Sequence, residues 1–103
     1  MATVHHRDVV ADALTKPKEM ANGWPHRYRC VAHVDTDSPE EAFRLTNHID
    51  HDWTENAKVL SHGPEPLRSS SIGDVVVTTA GPMLCCRVGW KSVYALQRQM
   101  ATQ

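Results

Sequence analysis

Arg68-Ser69-Ser70-Ser71-Ile72-Gly73-Asp74-Val75-Val76-Val77, answered by Leu84-Cys85-Cys86-Arg87-Val88-Gly89-Trp90, is the stretch that decides the fold. Gly73-Asp74 is a turn pair, because glycine tolerates positive φ and aspartate can bond to its own backbone. The valines behind it carry the β-branched bias of a strand. In the second run Leu84, Cys86, Val88 and Trp90 share one face, while Met83, Cys85 and Arg87 share the other. Together these patterns predict one β-hairpin, residues 74–79 against 83–90, reversing at Ala80-Gly81-Pro82 with the Leu84 set inward.

Upstream of the hairpin, Tyr28, Cys30, Ala32 and Val34 alternate with Arg29, Val31 and His33, which predicts a strand with one buried face. Ser38-Pro39-Glu40-Glu41 then combines an N-cap serine, proline at the first helical position and an acid at the third, so a helix starts at Pro39. Steps of about 100° place Ala42, Leu45, Thr46 and Ile49 on its inner side, with Phe43 at the border. Glu40, Glu41, Arg44 and His48 face outward, and the helix is expected to end near His51 with Trp53 closing the core edge. Ala57-Lys58-Val59-Leu60 reads as a further strand, and His62-Gly63-Pro64-Glu65-Pro66 as a loop. Val93, Leu96 and Met100 recur at helical spacing and suggest a terminal helix. Val9, Val10, Ala13 and Leu14 allow a turn or two of helix that Lys16-Pro17 stops, followed by a loop through Ala21-Asn22-Gly23-Trp24-Pro25. Residues 1–25 are therefore read as a flexible or partly helical arm, and residues 26–103 as one domain.

A chain of 103 residues offers a single core, and 41% hydrophobic with 22% charged residues is ordinary for a globular protein. Nothing is long or apolar enough to cross a membrane, and residues 1–6 lack a secretory layout, which points to the cytoplasm. Cys30, Cys85 and Cys86 fit that reading, since neighbouring strand cysteines point to opposite faces and do not make a disulfide framework. The net charge of -1 hides an uneven distribution. Residues 35–55 hold seven acids against Arg44, whereas residues 67–103 hold Arg68, Arg87, Lys91 and Arg98 against Asp74, so a dipolar surface is expected.

Candidate chemistry is sparse. His48 and His51 lie three apart at a helix end and, with Asp52, His33 or His62, have the residue types of a metal shell, but no His-Glu-x-x-His or Cys-x-x-Cys motif accompanies them. Ser69, Ser70 and Ser71 lack the frame of a nucleophile elbow, and buried strand cysteines are inert. The expectation is therefore no enzyme, no metal and no cofactor. Arg68, Arg87, Lys91 and Arg98, with Trp24, Trp90 and Tyr94 as stacking rings, form a candidate nucleic-acid face. Glu40, Glu41, Arg44 and His48 form a candidate face for a basic protein partner.

Ala42-Phe43-Arg44-Leu45-Thr46-Asn47-His48-Ile49-Asp50, Trp53-Thr54-Glu55-Asn56, Arg68 to Val75 and Val88-Gly89-Trp90 resemble the layout of a group of small accessory proteins carried by bacteriophages and plasmids. The resemblance covers residues 28–93. It implies context rather than a reaction: stoichiometric binding to a host or rival machine, with anti-CRISPR or antirestriction inhibition among the options. Asn47, Asn56 and Arg68 read as architecture that fixes the helix to the hairpin. The expected fold is α+β, with one principal helix on a curved, mostly antiparallel sheet of about four strands, and partial closure into a barrel as one option. A protein partner leads the functional reading, and a small nucleic-acid-binding module is the alternative.

Overall fold

Ala2, Val4 and His6 alternate with Thr3, His5 and Arg7, and that period of two is what makes the first residues a strand, β1 (Ala2–Arg7), buried at every second position. The other strands are β2 (Tyr28–Val34), β3 (Val59–His62), β4 (Val75–Thr78), β5 (Gly81–Cys85) and β6 (Trp90–Ser92). In the computed structural model, which describes residues 1–12, 14–47, 52–64 and 67–101 with side chains to residue 98 in the last helix, the six form one sheet. Its order is β3-β2-β1-β4-β5-β6, every pair antiparallel, and it is open at β3 and β6 rather than closed into a barrel. The α+β class stands, with six strands in place of about four.

β1 overturns the reading of residues 1–25 as an arm. It lies in the middle of the sheet, with Val4 opposite Ala32 on one side and Val76 on the other. Both Ala2 and Val4 are fully buried. The helix expected around Val9 to Leu14 is absent over the described positions, where Val9, Val10 and Leu14 are exposed. Pro17 instead opens a helix, α1 (Pro17–Asn22), as suits a residue whose missing N–H would have no helical partner at that position.

β2 has the boundaries its alternation predicts, but its faces are divided by a bulge. Val4 pairs with Ala32 and His5 with Cys30, leaving Val31 as an extra residue. The extra residue rotates the strand, so Val31 and Ala32 are both buried although adjacent, while Cys30 is exposed. Tyr28 thus joins one face of the sheet, and Ala32 with Val34 the other.

Two helical layers cover these faces. The second helix, α2 (Pro39–Leu45), begins as expected at Ser38, whose hydroxyl accepts the Glu41 N–H at 3.3 Å. It ends at Leu45 with Thr46 as its cap, earlier than the expected end near His51; His48, Ile49 and His51 themselves lie outside the described residues. Ala42 of α2 and Trp53 of a short 3-10 turn, Trp53–Glu55, close over Ala2, Val4, Val34 and Val76. On the opposite face Met20 and Ala21 of α1 meet Val93 and Leu96 of the third helix, α3 (Val93–Ala101), above Val75 and Leu84. Successive valines of β4 therefore feed two different cores, which is the physical use of its unbroken apolar run.

The predicted hairpin is two hairpins. β4 turns through Thr79-Ala80 into β5, where Gly81 takes φ 105°. The chain then reverses again at residues 86–89, where Gly89 has φ 74° and the Cys86 N–H donates to the Gly89 carbonyl at 3.0 Å. Val88 sits at that turn, 88% exposed, instead of facing the core. Trp90 belongs to β6 and is half-buried, its ring edge-on to Phe43 at 5.8 Å between centroids. Among the described residues no helix is long and apolar enough to cross a membrane.

Candidate functional site: an arginine cleft over a buried carboxylate

Asp74 sits where the chain enters β4, and the preceding turn brings its side chain inward. Gly73 makes the turn at φ 97°, and its lack of a side chain matters twice, because a Cβ there would lie 2.7 Å from the Met20 sulfur. The Tyr28 hydroxyl donates to the Gly73 carbonyl at 2.7 Å and ties the turn to β2. Asp74 is 2% exposed. Its carboxylate accepts the Arg7 N–H at 2.8 Å, the Ser71 N–H at 2.7 Å and both terminal nitrogens of Arg68, at 2.7 and 2.8 Å. The Arg68–Asp74 pair is a two-pronged, charge-assisted contact of the strongest kind.

Arg68 is saturated. Its two terminal nitrogens also donate to the Ser69 carbonyl at 3.0 Å and the Arg7 carbonyl at 3.1 Å. Its own carbonyl accepts the Trp53 indole N–H at 3.0 Å. The guanidinium thus ties the 68–74 turn to β1 and the backbone ties it to the 3-10 turn, which is the architectural role its position suggests. Ser70 continues the network: it bonds Thr46 through the hydroxyls at 2.6 Å, and its N–H donates to the Thr46 carbonyl at 2.9 Å. This fixes the C-terminal end of α2. Asn47 bonds back to the Phe43 carbonyl, and Asn56 accepts the Lys58 N–H at 2.9 Å, so both asparagines shape local turns.

His6 completes the interior. Its Nε2 lies 3.0 Å from the Ser70 hydroxyl and 3.8 Å from Asp74. Burial holds the ring's pKa down to about 4, outweighing the upward pull of Asp74, and Arg68, Arg29 and His5 push the same way as burial. The imidazole is therefore neutral at pH 7. A catalytic relay needs the serine and the orienting carboxylate on opposite ring nitrogens, whereas here one nitrogen faces both. The serine is also buried.

Above this network opens a cleft of about 440 Å³ lined by His6, Arg7, Asp8, Arg29 and Arg68. Register puts Arg29 opposite His6 and Tyr28 opposite Arg7, at the strand ends. Asp8, the one acid among the described lining residues, is held at 2.6 Å by Arg27 outside it. Among the described residues Arg29 has no ion pair, and the buried Nε of Arg7 has no hydrogen-bond partner. Asp8 is matched by Arg27 and Asp74 by Arg68; Arg29 and Arg7 line the cleft with no ion pair among the described residues, although an Arg7 terminal nitrogen donates to the Val9 carbonyl at 3.2 Å.

The other expected site residues fall elsewhere. Arg87 and Lys91 line a separate groove, Arg98 lies on the exposed side of α3, and Arg68 is drawn into the interior network, so these four cations do not form one face. Glu40, Glu41 and Arg44 do share the outer side of α2, where they line a shallow depression with Ser38. The Glu41 carboxylate is engaged by Lys58 at 3.1 Å and Arg44 at 3.7 Å, and the Lys58 contact holds its pKa below the usual range. His48 lies outside the described residues.

Among the described residues no three His, Cys, Asp or Glu side chains are placed to hold a metal; His33 and His62 border a different depression, and His48 and His51 are outside that set. Cys30, Cys85 and Cys86 are free thiols, and burial pushes Cys85 up to about 11, away from thiolate chemistry. Sequence reasoning missed His6, Arg7 and Arg29. The alternation of Ala2, Val4 and His6 was the available signal.

The depressed histidines have a measurable consequence. His5, also held to about 4 by burial and by His33, and His6 both titrate near 6.5 in an unfolded chain. Between pH 6.5 and 4 the unfolded chain takes up protons that the native state does not, so stability is full above that window and falls as pH drops through it. For His6 the loss is roughly 2 kcal/mol after solvent screening. Urea midpoints should decline from pH 7.5 to 5, and His6→Gln should flatten the decline; equal midpoints at both pH values would refute the burial of these rings.

Comparison with known proteins finds no matching family model, no similar curated protein and no similar solved structure.

Proposed function

We propose that the protein is a non-enzymatic binding module that takes the backbone phosphates of a single-stranded nucleic acid in the Arg7–Arg29–Arg68 cleft. The observation that supports this is three arginines lining one opening whose lining acid, the one among the described residues, is already paired. Guanidinium forks match phosphate oxygens, and phosphate contacts supply most non-specific affinity. Arg7 and Arg29 make the contacts in this reading. Arg68 is a positioning residue with its terminal donors engaged, and neutral His6 offers a polar ring without repelling the cations around it.

Protein binding through Glu40, Glu41, Arg44 and His48, as an accessory or inhibitor of a host or defence complex, draws less from the geometry. Lys58 and Arg44 compensate Glu41, which leaves Glu40 as the one acid of that stripe with no ion pair among the described residues.

The test is fluorescence anisotropy of a labelled twelve-nucleotide single strand at low and moderate salt. Two phosphate contacts give a log–log salt slope of about -1.4 for a single strand. Arg29→Glu should weaken binding by roughly tenfold at low salt and flatten the slope, because it removes a contact and adds a repulsion. Glu40→Gln should change nothing. Absence of binding at low salt, or an unaltered Arg29→Glu variant, refutes the reading.

A further inference from the structure

The large exposed hydrophobic residues are not scattered. Of the eight among the described residues, Val9, Val10, Leu14, Ile72 and Val88 lie in three loops, residues 8–16, 68–74 and 86–89. Leu14 is 86% and Val88 88% exposed. All three loops and α1 border one groove of about 230 Å³, lined by Ile72 and Val88 of that exposed set together with Thr15, Pro17 and Met20, and its cations are Arg87 and Lys91. Among the described residues no acidic side chain lines it. The groove is shaped in advance, because Arg87 donates to the Asp12 carbonyl at 3.0 Å and so joins the 86–89 turn to the first loop. The Asp12 carboxylate accepts the Leu14 and Thr15 N–H groups of its own loop, which hold its pKa down, and lies close enough to Arg87 for the guanidinium to lower it further, which leaves Lys91 as the less engaged of the two cations. Lys91 is exposed and has no ion pair among the described residues.

We infer that this groove is a docking site for a short acidic segment of a partner protein, one that inserts an aliphatic side chain and sets carboxylates against Lys91 and Arg87. An apolar concentration of this kind is where a small globular protein exposes an interaction surface. The groove has room for one or two aliphatic side chains, and its charge selects among apolar peptides by sign, since a basic segment would place like charges together. The site is separate from the arginine cleft, and the two share no lining residue.

The experiment uses the full chain and three labelled twelve-residue peptides: alternating Glu and Leu, alternating Lys and Leu, and alternating Glu and Ser. The Glu/Leu peptide should bind at least about tenfold more tightly than either of the others, since both the anchor and the charge are needed. Val88→Asp should weaken it by about tenfold and Lys91→Glu by about threefold. Both positions are exposed, so far-UV circular dichroism and thermal unfolding should match the unsubstituted chain, and Val88→Asp should leave oligonucleotide binding intact. Equal binding of the three peptides, no binding of the Glu/Leu peptide, or a Val88→Asp variant with full affinity overturns the inference. So does concentration-dependent self-association in sedimentation equilibrium that Val88→Asp abolishes, which would make a second copy the occupant.

Discussion

Asp74→Ala is expected to cost about 3–5 kcal/mol, the range for breaking one side of a buried ion pair. A domain of this size has about 5–15 kcal/mol in total, so the variant should be largely unfolded under mild denaturant. Four contacts are lost at once: two from Arg68 and the N–H groups of Arg7 and Ser71. What remains is worse than what is removed, because Arg68 keeps its charge in a setting only 31% exposed and two backbone donors lose their acceptor. Asp74→Asn keeps the shape and one oxygen acceptor, and should recover part of the loss. Urea unfolding followed by far-UV circular dichroism measures both, and a midpoint for Asp74→Ala within about 0.5 kcal/mol of the unsubstituted chain would show that the network does not hold the turn.

Trp53→Ala should be of similar size. The ring is 1% exposed and fills the centre of the cluster made by Ala2, Val4, Val31, Val34 and Leu67. Truncating a buried tryptophan costs about 3–5 kcal/mol through lost transfer energy and the cavity left behind. The Arg68 carbonyl also loses the indole donor, a further cost of about 1 kcal/mol. Trp53→Phe separates the two contributions, since it keeps much of the ring and drops the N–H. If Trp53→Ala unfolds at the same urea concentration as the parent, the α2-side core is not built around this residue.

These two residues also show how far the sequence was legible. Trp53 as a closing residue, the Ser38 cap, the bounds of β2 and the terminal helix all rest on local chemistry that a linear reading captures. β1 does not: its third inward position is His6, and a histidine between His5 and Arg7 reads as polar surface unless Ser70 and Asp74 are known to meet it. Those partners come from the far side of the chain. Val88 was misplaced for a related reason, because Leu84, Cys86, Val88 and Trp90 keep perfect alternation while Gly89 permits a reversal that only the pairing of Cys85 with Trp90 reveals. Gly73-Asp74 was recognised as a turn, yet the six-residue spacing from Arg68 to Asp74 carries no pattern that announces a bidentate pair. The basic residues of the carboxy-terminal part do not gather on one face: Arg68 lines the cleft, Arg87 and Lys91 the groove, and Arg98 lies on the exposed side of α3.

The position of β1 governs the order in which the molecule can assemble. Val4 finds Ala32 early along the chain, but its other neighbour, Val76, is made much later. Until then the central strand carries a naked edge with an apolar face, the kind of edge that recruits other chains. Closing the sheet requires so long a loop that refolding belongs to the slow, non-local class, on the order of milliseconds to seconds. A nascent chain therefore carries its future centre as a border from the emergence of β2 until β4 has been made.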